Sequence, residues 1–404
     1  MQALSNPYTP NAGAEPLAVV GRDEQLDWFE ILLARIERGR TEQSMIVTGL
    51  RGVGKTVLLG QFRSRALERN WVVMDLEASK HDDQGFRRSI ASRVRTALFE
   101  LSPKARWGER LRHAAGVLSS FTLSLDSTGK ISAGVDVEAA EGFADHQDLA
   151  LDLSDLLVAL AEAARDRKRG VVLLLDELQF LSRSQLEAVI QALHKIVQRK
   201  LPFTMVGAGL PQMAELAGDA KSYAERLFTF PAIGDLDEED ARAALTRPAA
   251  EEGVSFEEEA LDEAMRITGG YPYFLQELGY AVWTVAEGPV VTVEDVRQAV
   301  LGYEAKLDES FFRVRLDRTT PLQRAYLRAM AELGGEPQRA GDVATVLDRT
   351  SQNLGPTRAE LINMGLLYTP QHGYAAFTVP HFDRYLRRVI PELVRIEPRR
   401  RKKS

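Results

Sequence analysis

Residues 49–56 have the residue types and the spacing that phosphate binding requires. The segment Gly49-Leu50-Arg51-Gly52-Val53-Gly54-Lys55-Thr56 fits the pattern G-x-x-x-x-G-K-[ST] at every fixed position. A backbone that wraps a triphosphate points successive N–H groups inward, and glycine leaves room for the phosphates. Lys55 offers a flexible positive charge to the β- and γ-phosphates, and the Thr56 hydroxyl suits Mg²⁺. We therefore predict a loop that binds ATP with Mg²⁺, with contacts from Gly49, Gly52, Val53, Gly54, Lys55, Thr56 and Val57.

Two adjacent carboxylates follow a second apolar run. Residues 171–175 are five consecutive apolar residues, which suits a parallel strand buried on both faces. The run ends in Asp176-Glu177. At the carboxyl end of a central strand, Asp176 would hold Mg²⁺ through water, beside Thr56, and Glu177 would orient and deprotonate an attacking water.

Strand and helix patterns alternate around both motifs. Apolar runs at 45–47, 71–76, 171–175 and 203–207 read as strands, with helical periods between them. This alternation predicts an α/β fold, a P-loop core with a parallel sheet over residues 17–235, preceded by a flexible arm at 1–16. The strand at 203–207 ends in Gly207-Ala208-Gly209. The polar group that often reaches the γ-phosphate from this strand is therefore missing or displaced.

One segment interrupts the alternation. Phe121, Leu123 and Leu125 alternate with polar residues, as do the apolar residues of 131–137, and 126–130 between them is a turn sequence. The pattern predicts a β-hairpin in an insertion at about 103–146. Two interpretations stay open for this insertion: a site for a protein partner, or a hairpin that packs on the core.

Two arginines also have open interpretations. Gly21-Arg22, before a helix that Asp23 could cap, is either a plain loop or a segment that contacts adenine. Arg226 precedes another short strand. It is either a surface residue or a transition-state arginine offered to a neighbouring subunit of a homo-oligomer.

Helices dominate the remainder of the chain. Residues 236–318 read as a helical lid, and no strand is predicted before about residue 366. Residues 319–396 read as three helices and a hairpin, the order of a winged helix, followed by a basic tail at 397–404. Residues 320–404 contain 14 Lys and Arg against 8 Asp and Glu, with much of the excess in the tail. Double-stranded DNA, through Arg349 and Arg358, and a protein partner therefore both remain candidate ligands of this region.

Composition excludes several classes of protein. The 404 residues include no Cys, which rules out disulfides, thiol catalysis and cysteine-based zinc sites, and the six His lack the H-E-x-x-H spacing. There is no apolar run long enough for a membrane span, and residues 1–16 lack the pattern of a signal peptide, so we expect a cytoplasmic protein. A net charge of −7 argues against a surface that coats nucleic acid throughout, but allows a local basic patch.

Together, these motifs resemble those of AAA+-type ATPases of the origin-recognition and cell-division-control initiator kind, and those of signal-transduction (STAND) ATPases. Besides the phosphate loop and Asp176-Glu177, the resemblance rests on Gly21-Arg22-x-x-Gln25 and Gly269-Gly270-Tyr271-Pro272. It implies that Val20, Gly21, Arg22 and Pro272 wall the adenine. AAA+ members usually carry a sensor arginine near the Gly-Gly segment, where this chain has Tyr271-Pro272-Tyr273. This departure is closer to the STAND pattern. Together with the missing or displaced polar group of the strand at 203–207, it argues against rapid, motor-like hydrolysis and is compatible with ATP binding and slow, switch-like turnover.

Two functions fit these observations. The first is an ATPase that uses Mg-ATP to switch conformation or assembly and acts on DNA through the winged helix, with Lys55, Glu177 and Arg226 as catalytic residues. The second is an ATP-gated regulator or scaffold with negligible hydrolysis. It would recruit protein partners through the insertion and the winged helix.

Overall fold

The computed structural model describes residues 3–11, 13–79, 82–103, 106–123 and 137–393. The chain forms two compact units. The sheet unit consists of Gly21–Gly49 and Gly54–Ile233, and the helical unit consists of Met1–Val20, Leu50–Val53 and Gly234–Ser404. The two ends of the phosphate loop thus belong to the sheet unit, whereas its apex, Leu50–Val53, belongs to the helical unit.

The sheet unit is built on five parallel strands: β1 (Ser44–Thr48), β2 (Val72–Glu77), β3 (Val171–Asp176), β4 (Phe203–Gly209) and β5 (Phe228–Thr229). Their order across the sheet is β2-β3-β4-β1-β5. Every residue of β1 and β4 is buried, and so are the five apolar residues of β3. Such uninterrupted burial is expected of parallel strands covered on both faces. The predicted α/β fold with a parallel sheet is confirmed.

Strand order determines which loops meet at the carboxyl edge of the sheet. β4 lies between β1 and β3, and all three strands run in the same direction. The loop after β1 and the acidic pair at the end of β3 therefore flank the end of β4. This arrangement brings the two sequence motifs to one edge.

The helices of the sheet unit follow the apolar periods of the sequence. The first, α1, buries Leu26, Phe29, Leu32, Leu33 and Ile36 on one face, as its spacing predicts. The Asp148 and Ser182 side chains cap later helices by accepting backbone N–H bonds. The eight helices described in this unit are α1 (Asp23–Glu37), α2 (Lys55–Glu68), α3 (Asp83–Leu101), α4 (Glu109–Leu123), α5 (Leu149–Asp166), α6 (Arg183–Gln198), α7 (Met213–Ala220) and α8 (Ala224–Leu227).

The prediction of a β-strand at Phe121–Leu123, the first strand of the hairpin in the insertion, is wrong. Phe121 and Leu123 lie in α4, with Phe121 buried and Leu123 58% exposed. Residues two apart point to nearly opposite sides of a helix but to the same face of a strand. An alternation of only a few residues is therefore too short to distinguish a strand from a helix. The longer period of buried residues, Leu111, Ala114, Leu118 and Phe121, is helical. The centre of the predicted hairpin, residues 124–136, lies outside the described residues.

The helical unit contains α9 (Glu238–Glu251), α10 (Glu258–Thr268), α11 (Pro272–Val285) and α12 (Val293–Lys306), followed by a π-helical segment (Leu307–Arg313) and α13 (Val314–Leu316). Two short strands, β6 (Ser255–Phe256) and β7 (Val290–Val291), pair in parallel. The expectation of no strand before residue 366 is therefore wrong. Two residues are too few to show the alternation by which a strand is recognised in sequence.

The C-terminal part of the helical unit contains the three predicted helices, α14 (Pro321–Leu333), α15 (Ala340–Val346) and α16 (Ser351–Asn363). The predicted hairpin is also present: β9 (Leu367–Tyr368) pairs antiparallel with β10 (Tyr374–Phe377). A strand that the sequence analysis missed, β8 (Gln338–Arg339), pairs with the other side of β10, and α17 (Phe382–Val389) ends the region. The basic tail at 397–404 lies outside the described residues. Within those residues, no helix has both the length and the apolar character needed to cross a membrane.

The N-terminal segment, predicted as a flexible arm, packs in part into the helical unit. The Tyr8 side chain is 2% exposed, and its hydroxyl donates a 2.6 Å hydrogen bond to the Leu245 carbonyl. Its ring meets Trp283 edge-to-face at 6.3 Å. Burial raises the pKa of Tyr8, so the hydroxyl keeps the proton that it donates. A single aromatic anchor in a polar stretch leaves no period that sequence analysis could detect.

Candidate functional site

The phosphate loop connects the end of β1 to the start of α2. Gly52 and Gly54 have φ angles of +89° and +93°, a region that side chains disfavour, so glycine is required at both positions. The Lys55 ammonium donates a 2.9 Å hydrogen bond to the Gly49 carbonyl across the loop. Because α2 begins at Lys55, its first N–H groups and its positive dipole end face the loop. The loop therefore has the backbone and the charge of an anion site.

Thr56 and Asp176 meet at the carboxyl edge of the sheet. The Thr56 hydroxyl donates a 2.7 Å hydrogen bond to Asp176 Oδ2. The Glu177 backbone N–H donates to Asp176 Oδ1, also at 2.7 Å. A hydroxyl and a carboxylate are the hard oxygen ligands that Mg²⁺ prefers, so the residues present fit the predicted ion.

Glu177 has an unusual backbone conformation and a side-chain partner that the sequence analysis missed. Its φ of +55° is costly for a residue other than glycine, and such positions cluster at functional sites. Its carboxylate accepts a hydrogen bond from the Gln179 side-chain amide. Gln179 Oε1 in turn accepts a bond of 3.2 Å from the Leu210 N–H, just beyond β4. The only signal of Gln179 in the sequence is an amide two residues after the acidic pair.

The glycines at the end of β4 leave space for the turn that follows β3. A Cβ atom at Gly207 would overlap Leu178, which is 1% exposed. A Cβ at Gly209 would lie 2.5 Å from Met213 Cγ and 3.2 Å from Gln179 Oε1. A polar side chain at either position would collide with this packing. The structure thus explains why β4 has no polar residue at its end.

We expect Gly207→Ala to destabilise the protein by about 1–3 kcal/mol, because the added methyl group overpacks a buried contact with Leu178. Gly60→Ala is the matched control. Gly60 lies inside α2 with no atom within 4 Å of an added Cβ, and a helical Gly→Ala change should stabilise by about 0.5–1 kcal/mol. Urea unfolding of both variants would test this. A Gly207→Ala protein as stable as the parent would show that Leu178 moves aside freely.

The apex of the phosphate loop is bonded within the helical unit. The Tyr271 hydroxyl donates to the Arg51 carbonyl, and the Tyr273 N–H donates to the Gly52 carbonyl at 3.2 Å. The Arg51 N–H donates to the Thr378 carbonyl at 3.1 Å. A Cβ at Gly52 would lie 3.1 Å from both tyrosines, a second reason for glycine there. The backbone of the apex is therefore coupled to the start of α11 and to the segment after β10.

Arg315 adds positive charge near this apex within the helical unit. Its guanidinium carbon lies 4.1 Å from the centre of the Phe311 ring. Burial and then the positive charge of Arg51 lower the pKa of Arg315 to about 10, so it stays protonated at neutral pH. Nothing near Arg315 in the sequence marks a site, so its position could not be predicted.

Comparison with known proteins identifies the region that contains the phosphate loop. Residues 18–206 match the family model of the AAA ATPase domain. Residues 309–386 match the model of a domain of unknown function (DUF8462). No curated protein matches the chain.

Solved structures extend the likeness beyond the AAA ATPase domain. The Walker-type ATPase PABY2304 of Pyrococcus abyssi is similar over 91% of this chain and 96% of its own, at 16% identity and a TM-score of 0.58. The Orc1 protein of Aeropyrum pernix, in complex with DNA, is similar over 92% of this chain and 94% of its own, at 15% identity and a TM-score of 0.45. The Thermotoga maritima RuvB Holliday junction branch migration motor is similar over 91% of this chain and 95% of its own, at 16% identity and a TM-score of 0.45. At such identities the likeness to PABY2304 concerns the fold alone.

The residues predicted to wall the adenine fall in both units. Gly21 and Arg22, in the sheet unit, precede α1, and the Arg22 guanidinium donates 2.9 Å to the Gly21 carbonyl. Val20 and Pro272 belong to the helical unit, where Val20 is buried and Pro272 occupies the first turn of α11. The adenine contacts of all four residues stay predictions.

Arg226 is not brought to the phosphate loop of its own chain. It lies in α8, directly before β5, and β5 runs parallel to β1 with Phe228 beside Ser44. Its carbonyl accepts a bond of 3.1 Å from the Gln43 side chain, just before β1. Arg226 therefore lies at the amino-terminal edge of the five-stranded sheet, about 16 Å from the loop at the far end of β1. Its action in a neighbouring subunit stays a prediction.

The two arginines predicted to contact DNA lie outside the AAA ATPase domain. Arg349 precedes α16, and Arg358 lies within it, and both are half-buried. The only other charged residue of α16 is Glu360, so the charges of this helix cancel. The predicted DNA contact thus receives little electrostatic support from α16 itself.

Proposed function

We propose that this protein hydrolyses Mg-ATP and uses the cycle to switch its conformation or its assembly. The observation that carries the proposal is the contact between Thr56 and Asp176, with Glu177 next to them, at the edge where the phosphate loop begins. The AAA ATPase domain supports nucleotide binding as such. The acidic pair adds what hydrolysis needs beyond binding.

Each residue has a defined part in this mechanism. The loop N–H groups and Lys55 bind the phosphates, and Lys55 exchanges its bond to the Gly49 carbonyl for phosphate oxygens. Thr56 and Asp176 would hold Mg²⁺, which neutralises phosphate charge when bound. Glu177 orients a water molecule and accepts its proton as the water oxygen attacks the γ-phosphorus and the bond to the β-γ bridging oxygen breaks. ADP and phosphate leave, and the proton passes from Glu177 to the released phosphate.

We further propose that the C-terminal part of the helical unit is a winged helix that contacts DNA. Three helices followed by antiparallel strands support this reading, since α14, α15 and α16 precede the β9–β10 hairpin. Arg349, Arg358 and the basic tail would meet phosphates. Assembly into a homo-oligomer would allow Arg226 to reach a neighbouring site.

A second candidate function is an ATP-gated regulator of the STAND type with negligible hydrolysis. Two hydrogen bonds of Arg51 at the loop apex favour it: its carbonyl accepts from the Tyr271 hydroxyl, and its N–H donates to the Thr378 carbonyl. Both partners lie beyond residues 18–206. Such a protein would recruit partners through the insertion at 103–146 and through the C-terminal region. The balanced charge of α16 also suits a protein partner.

The test is ATP turnover by the full chain with and without duplex DNA, beside an Arg349→Ala/Arg358→Ala variant. We expect DNA to stimulate turnover and the double variant to keep basal turnover while losing the stimulation. Stimulation that is equal in the double variant would reject these two contacts. Tight ATP binding without turnover in either condition would reject hydrolysis and favour the regulator.

A further inference from the structure

Gln179 occupies the space beside the end of β4 that a polar side chain of the strand would otherwise fill. Its Oε1 lies 3.2 Å from the position of a Cβ at Gly209 and accepts the Leu210 N–H. Its amide nitrogen donates to the Glu177 carboxylate. One side chain thus bridges the last residue of the acidic pair and the end of a neighbouring strand.

The end of β4 is also bonded to the phosphate loop. The Gly49 N–H donates a 3.1 Å hydrogen bond to the Gly209 carbonyl. Gly49 is therefore hydrogen-bonded to Gly209, and the next residue, Leu210, is hydrogen-bonded to Gln179. Gln179 in turn is hydrogen-bonded to Glu177, which completes a path from the phosphate loop to the acidic pair. All five residues belong to the sheet unit.

The turn after β3 does not need the Gln179 side chain for its own backbone. The Phe180 N–H donates to the Glu177 carbonyl at 2.9 Å, and the Leu181 N–H donates to the Leu178 carbonyl at 3.0 Å. These bonds close the turn by themselves. The two side-chain hydrogen bonds of Gln179 are therefore not needed to close the turn. They connect Gln179 to Glu177 and to Leu210.

We propose that Gln179 is the positioning residue for Glu177. It connects the Glu177 carboxylate to the end of β4, where the strand itself has no polar side chain. This inference rests on the proposed role of Glu177 in hydrolysis. A donor to a carboxylate restricts its rotamers and so holds it in one orientation. Gln179 thus aims Glu177 at the water, and its bond to the Leu210 N–H connects Glu177 through Gly209 to the phosphate loop.

Two substitutions separate this role from a structural one. Gln179→Glu keeps an acceptor for the Leu210 N–H but removes the donor to Glu177 and adds a negative charge beside it. Gln179→Met keeps the length of the side chain and removes both bonds. ATP affinity, KM and kcat would be measured for the full chain.

We expect both variants to bind ATP like the parent and to lower kcat by about tenfold, part of what a general base contributes. The loss should fall on kcat and leave KM and ATP affinity unchanged, and it should be larger in Gln179→Glu, because like-charge repulsion also displaces the Glu177 carboxylate. Parental kcat in Gln179→Glu, or a loss that falls equally on ATP affinity, would overturn the inference and leave a structural role.

The Glu177→Gln variant separates this inference from the proposed function. Loss of turnover in Glu177→Gln, together with parental behaviour of Gln179→Glu, would reject the positioning role alone. Normal turnover in Glu177→Gln would reject Glu177 as the base, and the role of Gln179 with it.

Discussion

Replacing Lys55 by Ala is expected to weaken ATP binding by about a hundredfold. The Lys55 ammonium lies across the phosphate loop from the Gly49 carbonyl, where it can turn to the phosphates. A hydrogen bond to a charged group contributes about 1.5–3 kcal/mol, and every 1.4 kcal/mol corresponds to a factor of ten in affinity. Titration calorimetry with ATP and Mg²⁺ would measure the loss.

Two controls isolate the charge of Lys55. Lys55→Met keeps the apolar stem and should lose as much affinity as Lys55→Ala. Arg88→Ala removes one positive charge from an exposed position on α3 and should bind ATP like the parent. Retained ATP affinity in Lys55→Ala would refute the assignment of residues 49–56 as a phosphate loop.

Glu177→Gln is expected to lower kcat for ATP by about 10²–10⁴ while leaving ATP affinity unchanged. The substitution keeps the shape of the side chain but removes the group that accepts the proton of water. The Gln179 amide can still donate to the remaining side-chain oxygen, so the local packing should persist. Single-turnover kinetics would separate the chemical step from nucleotide binding and release.

The control for this variant is Glu215→Gln, which makes the same chemical change on the exposed face of α7. It should hydrolyse ATP at the parental rate. Turnover by Glu177→Gln equal to that of Glu215→Gln would show that another group, or no protein group, takes the proton. A parallel loss of ATP affinity would instead indicate that Glu177 contributes to binding.

Local patterns in the sequence predicted most of the sheet and much of the helical C-terminal part. Strands β1 and β3 contain continuous apolar runs, and α1 shows a helical period long enough to be unambiguous. Prediction failed where the pattern was too short. Two alternating residues, Phe121 and Leu123, read as a strand although they belong to α4, and the two-residue strands β6, β7 and β8 gave no signal.

The sequence by itself determined the phosphate loop and the acidic pair, because their chemistry requires particular residue types at a spacing that is local to the chain. Only the tertiary structure decided how they meet. The strand order β2-β3-β4-β1-β5 brings Thr56 to Asp176 across 120 residues, seats Gln179 against the end of β4, and leaves Arg226 at the opposite edge of the sheet. These outcomes depend on which strands pair, and strand pairing is set by packing between segments that are distant in sequence.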